Sequence, residues 1–140
     1  MGPTMVRVRK TFYGYFKENM DAMGAPCPET LFSTATTATA TIKTILSEIE
    51  KHGPSVTLAE LAVAGTGLEI LGFAAAGTAA AYVGICIGSL AVATGKSISG
   101  GYSLGDLFAT AHLHDINSNH LAYILQQHSF QRKYSTICTV

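Results

Sequence analysis

The chain has 140 residues, which is room for one domain and excludes multidomain machinery, because a second core would leave each with too few residues. Charged residues are 13% and apolar residues 48%, so the bulk of the chain is not disordered. Nine basic and nine acidic side chains cancel, which leaves no basic field for a phosphate backbone and excludes nucleic acid as an expected partner.

The first segment, residues 1–27, carries Arg7, Arg9, Lys10 and Lys17 without a following apolar run, so it does not read as a secretory signal. Val6 stands where a myristoylation pattern wants Ser or Thr, and Cys138-Thr139-Val140 is too short for a prenylation box, so no lipid anchor is expected. The aromatic cluster Phe12, Tyr13, Tyr15 and Phe16, interrupted by Gly14, predicts a short helix. Cys27, Cys86 and Cys138 are odd in number and widely spread, which fits neither a disulfide framework nor a zinc knuckle and points to synthesis in a reducing cytosol.

Residues 28–52 are expected to form one amphipathic helix of about 22 residues, starting near Pro28 and stopped by Gly53-Pro54. Ala35, Ala38, Ile42, Ile45 and Ile49 repeat at helical spacing on one face. Thr34, Thr37, Thr41, Thr44 and Glu48 repeat beside them as a hydroxyl face. Hydroxyls can replace ion hydration without a fixed charge, so this face is a candidate pore lining, and equally a plain solvent-facing surface.

The missing charges are concentrated in residues 56–95. Between Lys51 and Lys96 the only formal charges are Glu60 and Glu69, and the 26 residues from Ile70 to Gly95 have none. Thr57-x-x-Glu60 and Thr66-x-x-Glu69 both match the capping box, in which a hydroxyl and a carboxylate three residues on satisfy each other's backbone N–H groups. Two organisations fit. In one, a short helix from Leu58 to about Ala64 precedes a long apolar helix; in the other, two antiparallel helices turn near Gly72 to Gly77. As one helix, the uncharged window would measure about 39 Å against a bilayer hydrocarbon core of roughly 30 Å. Its Gly and hydroxyl content makes insertion marginal. Glu60 and Glu69 are either helix caps or carboxylates placed for a pore.

Within the window, Ile70, Ala74, Gly77, Ala81, Gly84, Gly88, Ala91 and Gly95 follow one another at alternating spacings of 4 and 3. On a helix these positions form one small-residue stripe, with Leu71, Tyr82, Val83, Cys86 and Leu90 on the far side. Such a stripe lets another backbone approach closely, and Gly84-xxx-Gly88 is the spacing that favours helix association in lipid. Ala74, Gly77, Ala81, Gly84, Gly88, Ala91 and Gly95 are therefore the expected packing or oligomerisation surface. The same stripe also suits a tightly packed central helix of a soluble bundle.

After Lys96 a Gly/Ser loop leads to Ser103-x-x-Asp106, another helix start, and residues 103–128 are expected to form two helices separated at Asn117-Ser118-Asn119. His112, His114, His120 and His128 lie close in sequence, but positions i and i+2 point apart on a helix and no Glu or Cys completes a ligand set, so no metal or other cofactor is expected. No nucleophile elbow or phosphate loop is present, and enzymatic chemistry is not expected. The fold these elements predict is all-α, a small helical bundle around a central Gly/Ala-rich hydrophobic helix or helical hairpin.

An internal Ala/Gly-rich apolar segment in a small charge-poor protein resembles the hydrophobic hairpin of pore-forming colicins. The run from Tyr82 to Lys96, Tyr-Val-Gly-Ile-Cys-Ile-Gly-Ser-Leu-Ala-Val-Ala-Thr-Gly-Lys, is more closely similar to that of small membrane-depolarising toxins delivered by bacterial type VI secretion. The resemblance covers about a third of the chain. It implies a protein made in the cytoplasm and delivered to a target-cell membrane, with the lipid bilayer, copies of itself, a carrier or secretion protein and a cognate immunity protein as partners. Two rivals stand beside it: a small membrane protein of immunity or holin-like role, and a soluble helical binding module.

Overall fold

A computed structural model describes residues 11–62, 78–95 and 103–127. Among these residues the secondary structure is seven α-helices, joined by turns and one isolated β-bridge.

Helix α1, Phe12–Ala22, starts at Thr11, whose hydroxyl accepts a hydrogen bond from the Gly14 N–H at 3.0 Å. Gly14 therefore sits in the capped first turn, where its flexibility costs little, and does not interrupt the helix. The helix closes at Gly24, whose φ of 73° lets the Ala25 N–H return to the Met20 carbonyl at 2.9 Å. Phe16 and Met20 form its buried side.

The single helix expected over residues 28–52 is two. Helix α2, Glu29–Phe32, stops at Ser33, and α3, Ala35–His52, starts afresh. The reason is local. Thr34 is extended, at φ −138° and ψ 168°, and its hydroxyl accepts the Thr37 N–H at 3.1 Å, so it serves as an N-cap and not as a helical residue. Beyond that break the periodicity reads correctly: Ala38, Ile42, Ile45 and Ile49 are buried, joined by Leu46 and Thr41. Lys51 and His52 occupy the last turn, where positive charge suits the helix dipole, and Gly53 at φ 97° ends it.

Helix α4, Leu58–Ala62, begins at the expected capping box. The Glu60 N–H donates to the Thr57 hydroxyl at 3.1 Å, and the Thr57 N–H donates to the Glu60 carboxylate at 2.8 Å. Helix α5, Ala79–Ala93, starts at Thr78, which is extended at ψ 157° and caps the Ala81 N–H. Thr78 pairs with Thr57 in an antiparallel bridge, and the Ala79 N–H donates to the Val56 carbonyl at 2.8 Å. The window Ile70 to Gly95 is therefore not one helix. The Thr66/Glu69 box and the turn near Gly72 to Gly77 lie outside the described residues.

Helix α6, Leu104–Leu113, starts with a complete Ser103/Asp106 capping box, and α7, Leu121–Gln127, follows the Asn117–Asn119 break. Glu50 of α3 holds that break in place: its carboxylate accepts from the Ser118 hydroxyl at 2.7 Å and the Asn119 N–H at 2.9 Å. These two hydrogen bonds, with a smaller contribution from His120, lower the Glu50 pKa below the usual carboxylate range. A carboxylate whose folded pKa is depressed stabilises the fold above its unfolded pKa and ceases to do so as pH falls through the lowered value. Glu50→Gln is accordingly expected to lose less of its urea midpoint than the natural chain between neutral pH and about pH 3.

The helices close around α5, which packs against α1, α3, α4, α6 and α7, most extensively against α1. Phe16 stacks on Phe32 at 4.9 Å between ring centroids, and Phe32 meets Tyr82 edge-on at 6.4 Å, so an aromatic column ties α1 and α2 to α5. The described residues form an all-α small bundle, the architecture read from the sequence.

Candidate functional site: the central apolar helix

Helix α5 is buried on every side. From Ala79 to Ala91 only Ala81 is even partly exposed, and Val83, Cys86, Ile87, Ser89 and Leu90 are fully enclosed. A helix that is apolar all round has no solvent face to offer and is stable only inside a core or in lipid. Each fully buried Ile or Leu contributes about 1.5–3 kcal/mol relative to exposure, so the bundle around α5 owes much of its stability to keeping this helix covered.

The structure divides the expected packing stripe into three parts. Gly84, Gly88 and Ala91 lie buried in α5, with Ala81 half-buried beside them. Gly95 falls beyond the helix, after the C-cap Thr94, where its φ of 84° serves the turn. Ala74 and Gly77 lie outside the described residues.

On the opposite side of α5 are Tyr82, Cys86 and Ser89, spaced 4 and 3 apart. The Tyr82 hydroxyl donates to the Pro26 carbonyl at 2.5 Å, and the Asn19 side-chain amide donates to the Ser89 hydroxyl at 2.8 Å. This face therefore turns toward α1 and residues 25–28, which supply its polar partners. Sequence spacing placed Tyr82 and Cys86 on this side among apolar residues; Ser89 was not singled out, and Asn19, 70 residues away from it, carried no signal there.

The hydroxyl face of α3 is committed to local contacts. Thr34 caps the helix and lies 3.0 Å from the Thr37 hydroxyl; Thr44 donates to the Ala40 carbonyl at 3.0 Å. Thr41 is buried and donates to the Leu31 carbonyl at 2.9 Å, which docks α2 onto α3. Glu48, its side chain mostly covered, lies 3.4 Å from Lys51 and 3.3 Å from His52. Glu60 is the α4 cap, and Glu69 lies outside the described residues. Thr41→Val keeps the shape of that side chain but removes the donor, and is expected to cost about 1 kcal/mol in a denaturant titration.

The histidines do not converge. His112 is exposed in the last turn of α6, His114 is its C-cap, His120 is half-buried before α7, and His128 lies outside the described residues. Among the described residues no group of three or more His, Cys, Asp or Glu is placed to hold a metal ion. Cys27 is half-buried, and burial, with a smaller push from Asp21, raises its thiol to about 12, so it is protonated and a poor nucleophile at neutral pH. A groove of about 510 Å³ runs along Ala35, Thr36, Thr39, Ala40, Lys43 and His114.

Among the described residues no helix is long and apolar enough to cross a membrane. With 15 residues, α5 reaches about 22 Å, short of a hydrocarbon core of roughly 30 Å. No family model, curated protein or solved structure matches the chain.

Proposed function

We propose that this protein is a membrane-inserting toxin that forms ion-conducting pores and dissipates the membrane potential of target bacteria, without enzymatic chemistry. The observation that carries the reading is α5, an uncharged helix buried from Ala79 to Ala91 except at half-buried Ala81 and surrounded by the other helices. Such a bundle stores its most apolar segment away from water, and a bilayer is the one other environment in which that segment is stable. The resemblance of the Tyr82 to Lys96 run to membrane-depolarising secretion toxins points the same way.

Crossing requires more than α5 itself. The uncharged sequence extends back to Ile70, so insertion is proposed to draw residues before Thr78 into the helix and to break the Thr57–Thr78 bridge. The Gly84, Gly88 and Ala91 face then receives another helix at close range, from the same chain or a second copy. On this reading the protein is made in the cytoplasm, carried to the target membrane by a secretion or carrier protein, and neutralised in its own cell by an immunity protein.

Purified protein added to liposomes that hold a potassium potential, read with a potential-sensitive dye, is expected to collapse the potential. No collapse at protein levels that saturate the membrane would sink the proposal. A second reading, a helical binding module that never enters lipid, is favoured by the length of α5, whose 15 residues fall short of a bilayer core. It predicts a protein that stays monodisperse without detergent and does not float with vesicles.

A further inference from the structure

Helix α5 has two chemically different sides. At about 100° per residue, Tyr82, Cys86 and Ser89 fall within roughly 60° of one another, while Gly84, Gly88 and Ala91 occupy the opposite side. One side carries two hydroxyls and a thiol; the other carries no polar side-chain atom at all.

We infer that Tyr82, Cys86 and Ser89 form the polar lining of the conducting path, in place of the threonine face of α3. The inference rests on the membrane-inserting reading. In the bundle the Tyr82 and Ser89 hydroxyls have partners outside their own helix, the Pro26 carbonyl and the Asn19 amide. Those partners belong to α1 and the segment after it. When α5 moves into lipid without them, each hydroxyl faces hydrocarbon at a cost of several kcal/mol or turns to water. A water-filled path along this side meets both demands. The small side, with nothing to hydrate, is left for a backing helix at short distance.

The α3 threonines differ on this point. The Thr41 and Thr44 hydroxyls donate to carbonyls of Leu31 and Ala40, within α3 or the helix directly before it. Thr44 carries its partner wherever α3 goes, so nothing drives that face to seek water. Tyr82, Cys86 and Ser89 are also the polar side chains that interrupt the apolar run of α5 between its caps, which places them at the depth where an ion needs oxygen or sulfur ligands.

The full chain reconstituted in planar lipid bilayers tests this directly, with Cys27 and Cys138 changed to serine so that Cys86 is the remaining thiol. A membrane-impermeant methanethiosulfonate carrying a fixed positive charge is added to open channels. Current through the Cys86 protein is expected to fall by roughly half or more, and the same loss is expected for Ser89→Cys combined with Cys86→Ala. Cys86→Ala alone and Ile87→Cys combined with Cys86→Ala, Ile87 lying about 100° or more around the helix from all three, are expected to show no change. The cationic reagent is expected to shift the reversal potential toward that of the anion, and a reagent of negative charge to shift it toward that of the cation. If Ser89→Cys does not fold, the native Cys86 carries the test. The inference is overturned if the reagent leaves Cys86 and Ser89→Cys currents unchanged, acts equally at Ile87→Cys, or acts only at Thr41→Cys. A wild-type protein that conducts no current overturns the membrane reading itself, an outcome distinct from current that the reagent does not touch.

Discussion

Phe16→Ala is expected to lower the stability of the bundle by about 3–5 kcal/mol and the Tm by roughly 10–20 °C. Phe16 is fully buried, stacks on Phe32 and leans on Phe12 at 5.6 Å, so its loss leaves a cavity between α1 and α2, next to the Phe32 ring that meets Tyr82 of α5. The effect on function has the opposite sign if α5 acts by leaving the bundle. A loss of that size raises the population of opened protein roughly a hundredfold or more, and depolarisation at a limiting dose should become faster. A binding module that works as a folded bundle would lose activity in step with stability. Thermal unfolding and the liposome assay on the same preparation therefore separate the two readings through one substitution.

The second large effect is expected at Gly84 and Gly88. Both are buried in α5, and leucine at either overpacks the interior at about 1–3 kcal/mol each. The Gly84→Leu, Gly88→Leu protein should thus be loosened, as Phe16→Ala is. Loosening alone would speed depolarisation. The expected result is nevertheless loss of depolarisation to background, because leucine side chains hold a neighbouring helix away from the backbone where these glycines admit it. Gly84→Ala with Gly88→Ala keeps the face small and should retain activity. Retained activity in the leucine variant would show that this face is not used for packing in the membrane.

Much of the fold was legible because its signals are local. Gly53 stops α3, Thr57/Glu60 and Ser103/Asp106 open α4 and α6, and the Ala38, Ile42, Ile45, Ile49 spacing names the buried side of α3. The break at Ser33-Thr34 was hidden because the threonine periodicity runs through it unbroken, and only the extended backbone of Thr34 marks it as a cap. The start of α5 was hidden for a related reason. In an Ala-rich uncharged run Thr78 looks like any small helical residue, and what makes it a cap is its pairing with Thr57, a contact between residues far apart in sequence. The small side of α5 could be read from spacing. The partners of its polar side could not, since Asn19 and Pro26 meet Ser89 and Tyr82 only once α1 has packed on α5.

A toxin that acts by insertion must move α5 from a protein interior into a lipid one. Amide hydrogen exchange, followed by mass spectrometry with and without vesicles, measures that transfer region by region. With vesicles, amides of α5 are expected to stay protected while those of α1, its most extensive neighbour, exchange much faster than in buffer, because α1 has parted from it. Unchanged protection in α1 at vesicle concentrations that bind all the protein, or loss of protection in α5 together with its neighbours, would show that α5 does not pass from the bundle into lipid.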